Sequence, residues 1–279
     1  MPELPEVETM RRGILGVVGA TLVGAERLPC ALKPILVQPA LARFRRRAVG
    51  RRVTVVDRIG KRVVLRLDSG DAIILEPRMT GLVLVAESPD TAHLRFRLRF
   101  LGGQIQQILY WDRRGLGSVR LLSRRQIEQQ LGPGKLGPDA LTVTVDELWD
   151  GLHHSQRAIK VALLDQQTLA GVGNLYASEI LHVAGIHPQQ RCCRLSRDTW
   201  RRLQAAMLHV LEEAIRYEGS TLADSTYRNV LSAPGSYQNQ HRVYDLAGQR
   251  CPKCAEGVIR RIVQAQRSTF FCPRCQQRN

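Results

Sequence analysis

Four cysteines near the end of the chain have the spacing of a metal site. Cys251 and Cys254 form one C-x2-C pair, Cys272 and Cys275 form another, and seventeen residues separate the pairs. Each pair can present two thiolates to one tetrahedral ion, and this spacing is typical of a four-cysteine zinc site. A redox C-x-x-C would need a thioredoxin-like βαβ context, which this stretch lacks. We predict one structural zinc, because four sulfur ligands leave no position open for water.

The first residues, MPELPEVE, contain a second reactive group. If Met1 is removed, Pro2 has a free secondary amine. About one-tenth of an α-amine with a pKa of about 7.7–8.0 is neutral at pH 7. A lysine side chain, with a pKa of about 10.4, is neutral in only a few molecules in ten thousand. Pro2 is therefore a ready nucleophile, with Glu3 beside it as a candidate general acid. The alternative is that Pro5 and the acidic residues only begin a helix.

The charge of the chain indicates a polyanionic partner. Lysine and arginine total 41 against 25 acidic residues, which gives a net charge of +16 and a pI near 10.3. Such an excess favours nucleic acid, and the alternative is a basic surface that only aids solubility. We find no signal peptide and no apolar run that could span a membrane, so we expect a cytoplasmic protein. The odd count of seven cysteines argues against a disulfide framework.

The hydrophobic pattern predicts an α+β chain of three parts. Residues 1–13 are typical of a helix, and from about Arg43 to Asp112 the pattern indicates antiparallel strands. Within them, HLRFRLRF predicts one apolar face and one basic face, the latter formed by Arg95, Arg97 and Arg99. The predicted domains are 1–131 (a β-rich domain with the N-terminal helix), 132–240 (helical) and 241–279 (the cysteine-bearing hairpin).

Two signals support the helical part of the chain. Thr144 and Glu147 have the spacing of a capping box, and apolar residues from Trp200 to Ile215 follow a helical period. Gly171, Gly173 and Asn174 precede another helical run, where free N–H groups at a helix start can bind phosphate. An ordinary interhelical turn is the alternative.

Three motifs, in order, resemble those of the formamidopyrimidine-DNA glycosylase family (the Fpg/Nei superfamily). They are PELPEVET, GVGNLYASEILHVAGIHP and CPKC…AQRSTFFCPRC. The resemblance implies an N-terminal β-sandwich, a helix-two-turns-helix domain and a zinc-finger hairpin, with damaged double-stranded DNA bound between the domains. It also implies a monomeric bacterial base-excision repair enzyme, both DNA glycosylase and AP lyase, with no organic cofactor. Its expected substrates are 8-oxoguanine and formamidopyrimidines.

The same resemblance implies roles for individual residues. Pro2 is expected to form a Schiff base with the sugar, and Glu3 to act as the general acid. Lys61 is expected to contact phosphate and assist β-elimination, and Arg267 to hold phosphate during δ-elimination. The remaining residues expected to contact DNA are Met79, His93, Arg114, Leu116, Lys160 and Asn174.

Some residues depart from the pattern of the family. Met79 and Arg114 match two of the three residues that fill the space left by the flipped base. Leu116 stands where the family has an aromatic, and a leucine can still wedge a base step. Glu76 and Arg78 replace the histidine and glycine of the usual HLGM. We expect these changes to affect lesion and opposite-base preference rather than the lyase chemistry.

Two other functions are compatible with parts of the sequence. A non-enzymatic nucleic-acid-binding protein explains the charge and the cysteines but not Pro2, Glu3 and Lys61 together. A relative that binds damage without cutting is compatible with the altered EPRM and RGLG segments.

Overall fold

The computed structural model describes residues 2–223 and 225–278, and confirms the predicted α+β class. The helices in these residues are α1 (Leu4–Gly13), α2 (Leu41–Ala48), α3 (Arg124–Leu131), α4 (Val145–Leu152), α5 (Ile159–Leu163), α6 (Asn174–Ala184) and α7 (Arg197–Arg216). The strands are β1 (Thr21–Arg27), β2 (Leu36–Gln38), β3 (Val53–Ile59), β4 (Arg62–Leu67), β5 (Asp71–Glu76), β6 (Gly81–Leu84), β7 (Leu94–Leu101), β8 (Gln107–Asp112), β9 (Ser118–Ser123), β10 (Arg260–Gln264) and β11 (Arg267–Phe271).

The chain divides into two compact units. Unit 1 comprises Met1–Pro133 and Tyr217–Gln238, and unit 2 comprises Gly134–Arg216 and Asn239–Asn279. The segment that follows α7 therefore belongs to the unit that carries the N-terminus. The cysteine-bearing hairpin groups with the helices.

Unit 1 contains the predicted β-sandwich. One sheet has four antiparallel strands in the order β1-β7-β8-β6, and the other has five strands in the order β2-β9-β5-β4-β3, of which only the β2-β9 pair is parallel. Both sheets contribute to one core, which includes Phe96 and Leu98 from the first and Leu65 and Ile73 from the second. This sandwich is the rigid frame on which the N-terminal helix and the inter-strand turns lie.

Two details of the sequence-based prediction for unit 1 were wrong. The strands do not begin at Arg43, because 41–48 is helix α2, whose Phe44 and Ala48 lie one turn apart and are both buried. The predicted basic face of β7 is also incomplete. Arg95 is 3% exposed, and the β7-β8 register shifts between Leu94 and Phe96. This bulge interrupts the simple alternation and points Arg95 inward.

Within the described residues, unit 2 combines four helices, from the five-residue α5 to the twenty-residue α7, with the C-terminal hairpin. The predicted capping box is present, since Thr144 N–H donates to Glu147 (2.8 Å) and Glu147 N–H donates to the Thr144 hydroxyl (3.2 Å). The predicted apolar stripe of α7, including Trp200 and Leu211, is buried. Strands β10 and β11 pair antiparallel through a two-residue turn and pack near α6. Across the described residues, no helix combines the length and apolar character needed to cross a membrane.

Candidate active site and zinc centre

Glu6 fixes the first turn of α1. Its Oε2 accepts a hydrogen bond from the backbone N–H of Glu3 (2.8 Å), and its Oε1 accepts one from the backbone N–H of Ser220 (2.9 Å). Glu3 and Glu6 are 3% and 1% exposed, and Pro2 is also buried. Pro5 lies in the first turn, where its missing N–H has no helical partner to lose. Pro2 and Glu3 are thereby held in one arrangement inside unit 1.

A second anchor joins α1 to the turn that carries Lys61. The Glu8 carboxylate receives hydrogen bonds from Arg11 (2.9 Å) and Arg12 (2.8 Å) and forms an ion pair with Arg58 (3.2 Å). Burial opposes ionisation of Glu8, but the hydrogen bonds from Arg11 and Arg12 outweigh it, so the pKa of Glu8 is lowered. Arg58 also donates to the carbonyl of Gly60 (2.9 Å), the residue before Lys61. One carboxylate thus orders the β3-β4 turn.

Met79 and Arg114 lie on neighbouring loops of unit 1. Met79 is 37% exposed and precedes Thr80 at the start of β6, while Arg114 is exposed just after the end of β8. Leu116 is half-buried in the same β8-β9 loop. The two loops are adjacent because β6 pairs with β8, with Gly81 opposite Asp112.

The departures at Glu76 and Arg78 have a structural setting. Arg78 has φ +50°, a left-handed backbone conformation in which glycine is the least strained residue. Glu76 forms an ion pair with Arg62 (2.7 Å) and lies 3.8 Å from a nitrogen of Arg120. Position 76 therefore holds a carboxylate between two arginine side chains. Position 78 holds a non-glycine residue in a left-handed conformation, which is strained.

His93 is held by its own loop. Its backbone N–H and its Nδ1 both contact Asp90 Oδ1, at 2.9 and 2.8 Å, and its ring meets Trp111 edge-on at 5.3 Å. The side chain is 23% exposed. A contact of His93 with DNA stays a prediction.

In unit 2, Lys160 and Asn174 bind the start of β11, next to Arg267. The Lys160 ammonium donates to Asn174 Oδ1 (2.8 Å), to the carbonyl of Ser268 (2.9 Å) and to Thr269 Oγ1 (2.7 Å). Asn174 Nδ2 donates to the same Ser268 carbonyl (3.0 Å). Lys160 is 1% exposed, whereas Arg267 is exposed. The lysine predicted to contact DNA is thus buried beneath the hairpin, and the arginine is presented on its surface.

The half-buried Gln166 and the buried Glu179 position α6 and its surroundings. Gln166 Oε1 accepts from Gly171 N–H (3.0 Å), and Gln166 Nε2 donates to the carbonyl of Val172 (2.8 Å), which shapes the loop before the helix. Glu179, 0% exposed, accepts three backbone N–H groups from residues 242–244 at 2.8–2.9 Å. Burial raises the pKa of Glu179 despite these three hydrogen bonds. The polypeptide leading to the zinc hairpin is therefore bound to the middle of α6.

The four cysteines come together as the spacing predicts. Their Sγ atoms all lie within 4.8 Å of one another, and the Cys251–Cys275 and Cys254–Cys272 pairs are 3.8 Å apart. Tetrahedral zinc with Zn–S bonds of about 2.3 Å requires sulfur separations of about 3.8 Å. A Cβ at Gly257 would lie 2.5 Å from Cys272 Sγ, so only glycine fits beside this cluster. The donor set and its dimensions fit one structural zinc ion.

His182 is an outer partner of the zinc centre that the sequence analysis missed. Its Nε2 lies 3.3 Å from Cys251 Sγ, and the residue is 1% exposed. A zinc-bound thiolate can only accept a hydrogen bond, so Nε2 carries the proton in the metal-bound state.

Other positioning residues also escaped the sequence analysis. The buried Glu179 and Asp112 and the half-buried Gln166 are polar side chains whose partners are distant in sequence or are backbone groups. A faint signal existed for Glu179, since an acid within the otherwise apolar ASEILHVA needs a buried partner. Gly219 is a further example: its φ is +79°, and a Cβ there would lie 2.7 Å from Glu6 Oε1.

Family models match most of the chain. The formamidopyrimidine-DNA glycosylase N-terminal domain matches residues 1–119, and the formamidopyrimidine-DNA glycosylase H2TH domain matches 136–226. A zinc finger found in FPG and IleRS matches 248–278.

Full-length relatives and solved structures agree with these matches. A formamidopyrimidine-DNA glycosylase of Chloroflexus aurantiacus is 38% identical over 283 residues, covering 99% of this chain and 98% of the relative. Two structures of the Lactococcus lactis Fpg protein are 30% identical and cover 99% of this chain and 100% of theirs. One is a complex with DNA containing an abasic site (TM-score 0.85), and the other is a mutant bound to DNA containing Fapy-dG (TM-score 0.86). The chain belongs to the formamidopyrimidine-DNA glycosylase family.

Proposed function

We propose that this chain is a DNA glycosylase and AP lyase that removes oxidised purines, 8-oxoguanine and formamidopyrimidines, from double-stranded DNA. The observation that carries the proposal is the buried N-terminal turn, in which Glu6 holds the backbone of Glu3 beside Pro2. The Glu3 and Glu6 carboxylates form a capping box that begins α1, and the same bonds fix the backbone of Glu3 next to Pro2. Membership of the family supports the same conclusion.

In the proposed first step, Pro2 is the nucleophile. A base within the duplex is inaccessible, so the damaged nucleotide must leave the stack. The neutral Pro2 amine attacks C1′, the glycosidic bond breaks, and the base departs with the proton that the Pro2 nitrogen loses. Glu3 protonates the ring oxygen as the C1′–O4′ bond opens. The product is an iminium ion, whose fixed positive charge follows from the secondary amine of proline.

The iminium then draws electrons from the sugar. Loss of the C2′ proton expels the 3′ phosphate, loss of the C4′ proton expels the 5′ phosphate, and water finally releases Pro2 from the sugar fragment. We assign to Lys61 a phosphate contact and help in moving the C2′ proton. The Glu8–Arg58 anchor supports this assignment because it orders the turn on which Lys61 lies.

Unit 2 is proposed to supply phosphate contacts. Arg267 is exposed at the first position of β11, and Lys160 and Asn174 both donate to the carbonyl of the next residue, Ser268, which suits a guanidinium that must bind phosphate with little loss of entropy. Zinc, when bound, supplies folding energy to the hairpin rather than a reactive water. We also propose that Asn174 and His93 contact DNA.

Borohydride trapping on DNA with an abasic site tests the proposal. We expect a covalent adduct for the wild-type chain and for the control Pro5→Ala, and none for Pro2→Gly or for protein with a blocked N-terminus. A mass spectrum should show that Met1 is absent. Absence of any wild-type adduct contradicts the lyase assignment and leaves a protein that binds damage without cutting.

A lesion panel tests the substrate assignment. Duplexes with 8-oxoguanine, a formamidopyrimidine or an oxidised pyrimidine, each opposite all four bases, should show the fastest excision for the purine lesions. Faster excision of the pyrimidine lesion would contradict the assignment without affecting the trapping result.

A further inference from the structure

Asp112 lies at the junction of the two loops that carry Met79 and Arg114. It is the last residue of β8 and is 0% exposed. Both of its carboxylate oxygens are used. Oδ1 accepts from the Thr80 hydroxyl (2.5 Å) and from Arg114 N–H (3.2 Å), and Oδ2 accepts from Gly117 N–H (2.8 Å).

Thr80 closes the network from the other loop. It is 3% exposed and follows Met79 directly, and its Oγ1 accepts a hydrogen bond from Arg114 N–H (3.0 Å) while donating to Asp112. The N–H of Arg114 is therefore shared between the hydroxyl of one loop and the carboxylate of the other. The backbone positions of Met79 and Arg114 cannot change independently without breaking one of these bonds.

The β8-β9 loop is supported from beneath as well. The buried Arg95 donates through Nε to the carbonyl of Asp112 (2.8 Å) and through Nη2 to that of Arg113 (3.4 Å). Gly115 has φ +61°, and a side chain there would collide with the carbonyl of Lys33. These contacts restrain the backbone of the loop on both sides of Leu116.

A buried carboxylate is costly unless its oxygens are hydrogen-bonded. Packing alone could be satisfied at this position by an apolar residue of similar size. The Asp112 oxygens instead meet donors at three points of the chain: one side chain and two backbone amides. This arrangement is suited to fixing relative positions rather than to filling space.

We propose that Asp112, acting with Thr80, is the positioning residue that sets the relative placement of Met79, Arg114 and Leu116, and thereby the choice of the base opposite the lesion. The inference rests on the proposed function and on the role that the family resemblance implies for these three side chains, which is to occupy the space left by the flipped nucleotide. Asp112 itself is 0% exposed and has no surface to offer DNA. Its effect passes through the loops.

The chemistry of the side chain makes two variants informative. In Asp112→Asn, one oxygen becomes an NH2 group, which cannot accept a hydrogen bond. It therefore faces a backbone donor on either side, Gly117 N–H or Arg114 N–H, although on the second side it can donate to the Thr80 hydroxyl. In Thr80→Val, the shape is kept and only the hydroxyl is lost. Thr80→Ser restores the hydroxyl and is the matched control.

The experiment measures single-turnover excision of 8-oxoguanine opposite cytosine and opposite adenine. We expect the ratio of the two rates to fall about five- to tenfold in Asp112→Asn and Thr80→Val, the effect of about one lost hydrogen bond. Thr80→Ser should restore the wild-type ratio. Borohydride trapping on abasic DNA should stay within about twofold of wild type in all three, because that chemistry needs no opposite-base contact.

Two results overturn the inference. One is an unchanged ratio in both Asp112→Asn and Thr80→Val. The other is an equal fall in trapping and in excision opposite both bases. Such a fall indicates general unfolding, which melting curves and comparison with Thr80→Ser detect.

A readout without catalysis separates this inference from the proposed function. Fluorescence of 2-aminopurine placed opposite an abasic site reports insertion of side chains into the duplex. We expect the change on binding to be smaller for Thr80→Val than for wild type and Thr80→Ser. A chain that forms no adduct contradicts the proposed function, while an equal fluorescence change in wild type, Thr80→Val and Thr80→Ser contradicts the positioning role of the Asp112–Thr80 pair.

Discussion

Two hairpin turns in this molecule each lie beside a basic side chain, and different kinds of interaction stabilise them. In unit 1, the two-residue turn between β3 and β4 carries Lys61, and a carboxylate–arginine cluster at Glu8 anchors it. In unit 2, the two-residue turn between β10 and β11 precedes Arg267, and a four-cysteine cluster and the buried Lys160 anchor it.

The difference follows from what lies behind each turn. Strands β3 and β4 belong to a five-stranded sheet with a large apolar core, so ion pairs need only orient the turn. Strands β10 and β11 form a sheet of two strands whose small core is built around Val243, Ile259 and Phe270. A two-stranded sheet is marginal in water, so the metal and the buried ammonium must supply the stability. We therefore expect acid to destabilise the turn that carries Lys61, and chelators to destabilise the turn that precedes Arg267.

Removal of zinc should have the largest effect. Binding of structural zinc is worth about 10–16 kcal/mol in small zinc domains, so chelation or Cys254→Ser should unfold the hairpin. Hydrogen exchange should show lost protection over β10 and β11 and retained protection over β4 and β5. Cys193→Ser is the control and should keep one zinc per chain. Equal loss of protection in both regions would contradict the comparison.

Loss of the buried ammonium should come next. Lys160→Met keeps an apolar stem but removes the ammonium donor from Asn174 Oδ1, Thr269 Oγ1 and the Ser268 carbonyl, of which the last still accepts from Asn174 Nδ2. We expect unit 2 to lose about 1–3 kcal/mol of unfolding free energy, measured by urea denaturation. Zinc content should not change. If exchange at 267–269 stayed as slow as in wild type, Lys160 would not anchor this turn.

The two anchors differ in how far the sequence could reveal them. The cysteine spacing is local, so the zinc site follows from sequence, as do the capping box at Thr144 and the apolar stripe of α7. The acceptors of Lys160 are not local, since Ser268 lies 108 residues away, and no pattern connects them. Asp112 and Thr80 are 32 residues apart and meet only because β6 pairs with β8. The inward turn of Arg95 depends on a bulge, which alternation cannot predict.

The anchor of unit 1 should weaken in acid. Arg11 and Arg12 hold the pKa of Glu8 below its usual value of 4.5, so on acidification the unfolded chain takes up the proton first. The stabilisation is complete above that value and disappears as the pH falls through the lowered pKa. Glu8→Gln should therefore cost about 1–3 kcal/mol at pH 7 and progressively less below pH 4.5. Chemical denaturation at several pH values measures this.

The exposed Glu212 on α7 supplies the control for acid dependence. Glu212→Gln should leave the free energy of unfolding nearly unchanged at every pH. If the cost of Glu8→Gln were the same at pH 3 and pH 7, the ion pairs would not be its source.

The smallest expected effect concerns the backbone of the second turn. Ala265 and Gln266 have φ of +45° and +61°, as in a type I′ turn, a geometry that Asn-Gly adopts with least strain. Replacing the pair by Ala265→Asn and Gln266→Gly should stabilise the hairpin by about 1 kcal/mol, because relief of left-handed strain exceeds the added entropy of an unfolded glycine. Gln266→Ala keeps the strain and is the control. The four cysteines flank the open end of the hairpin, before β10 and after β11. Since zinc there holds the end opposite the turn, the gain should appear as slower hydrogen exchange at the turn and should grow when zinc is partly removed. An equal gain with and without zinc would mean that the turn folds independently of its metal anchor. The two turns would then differ only in the size of the sheet to which their strands belong.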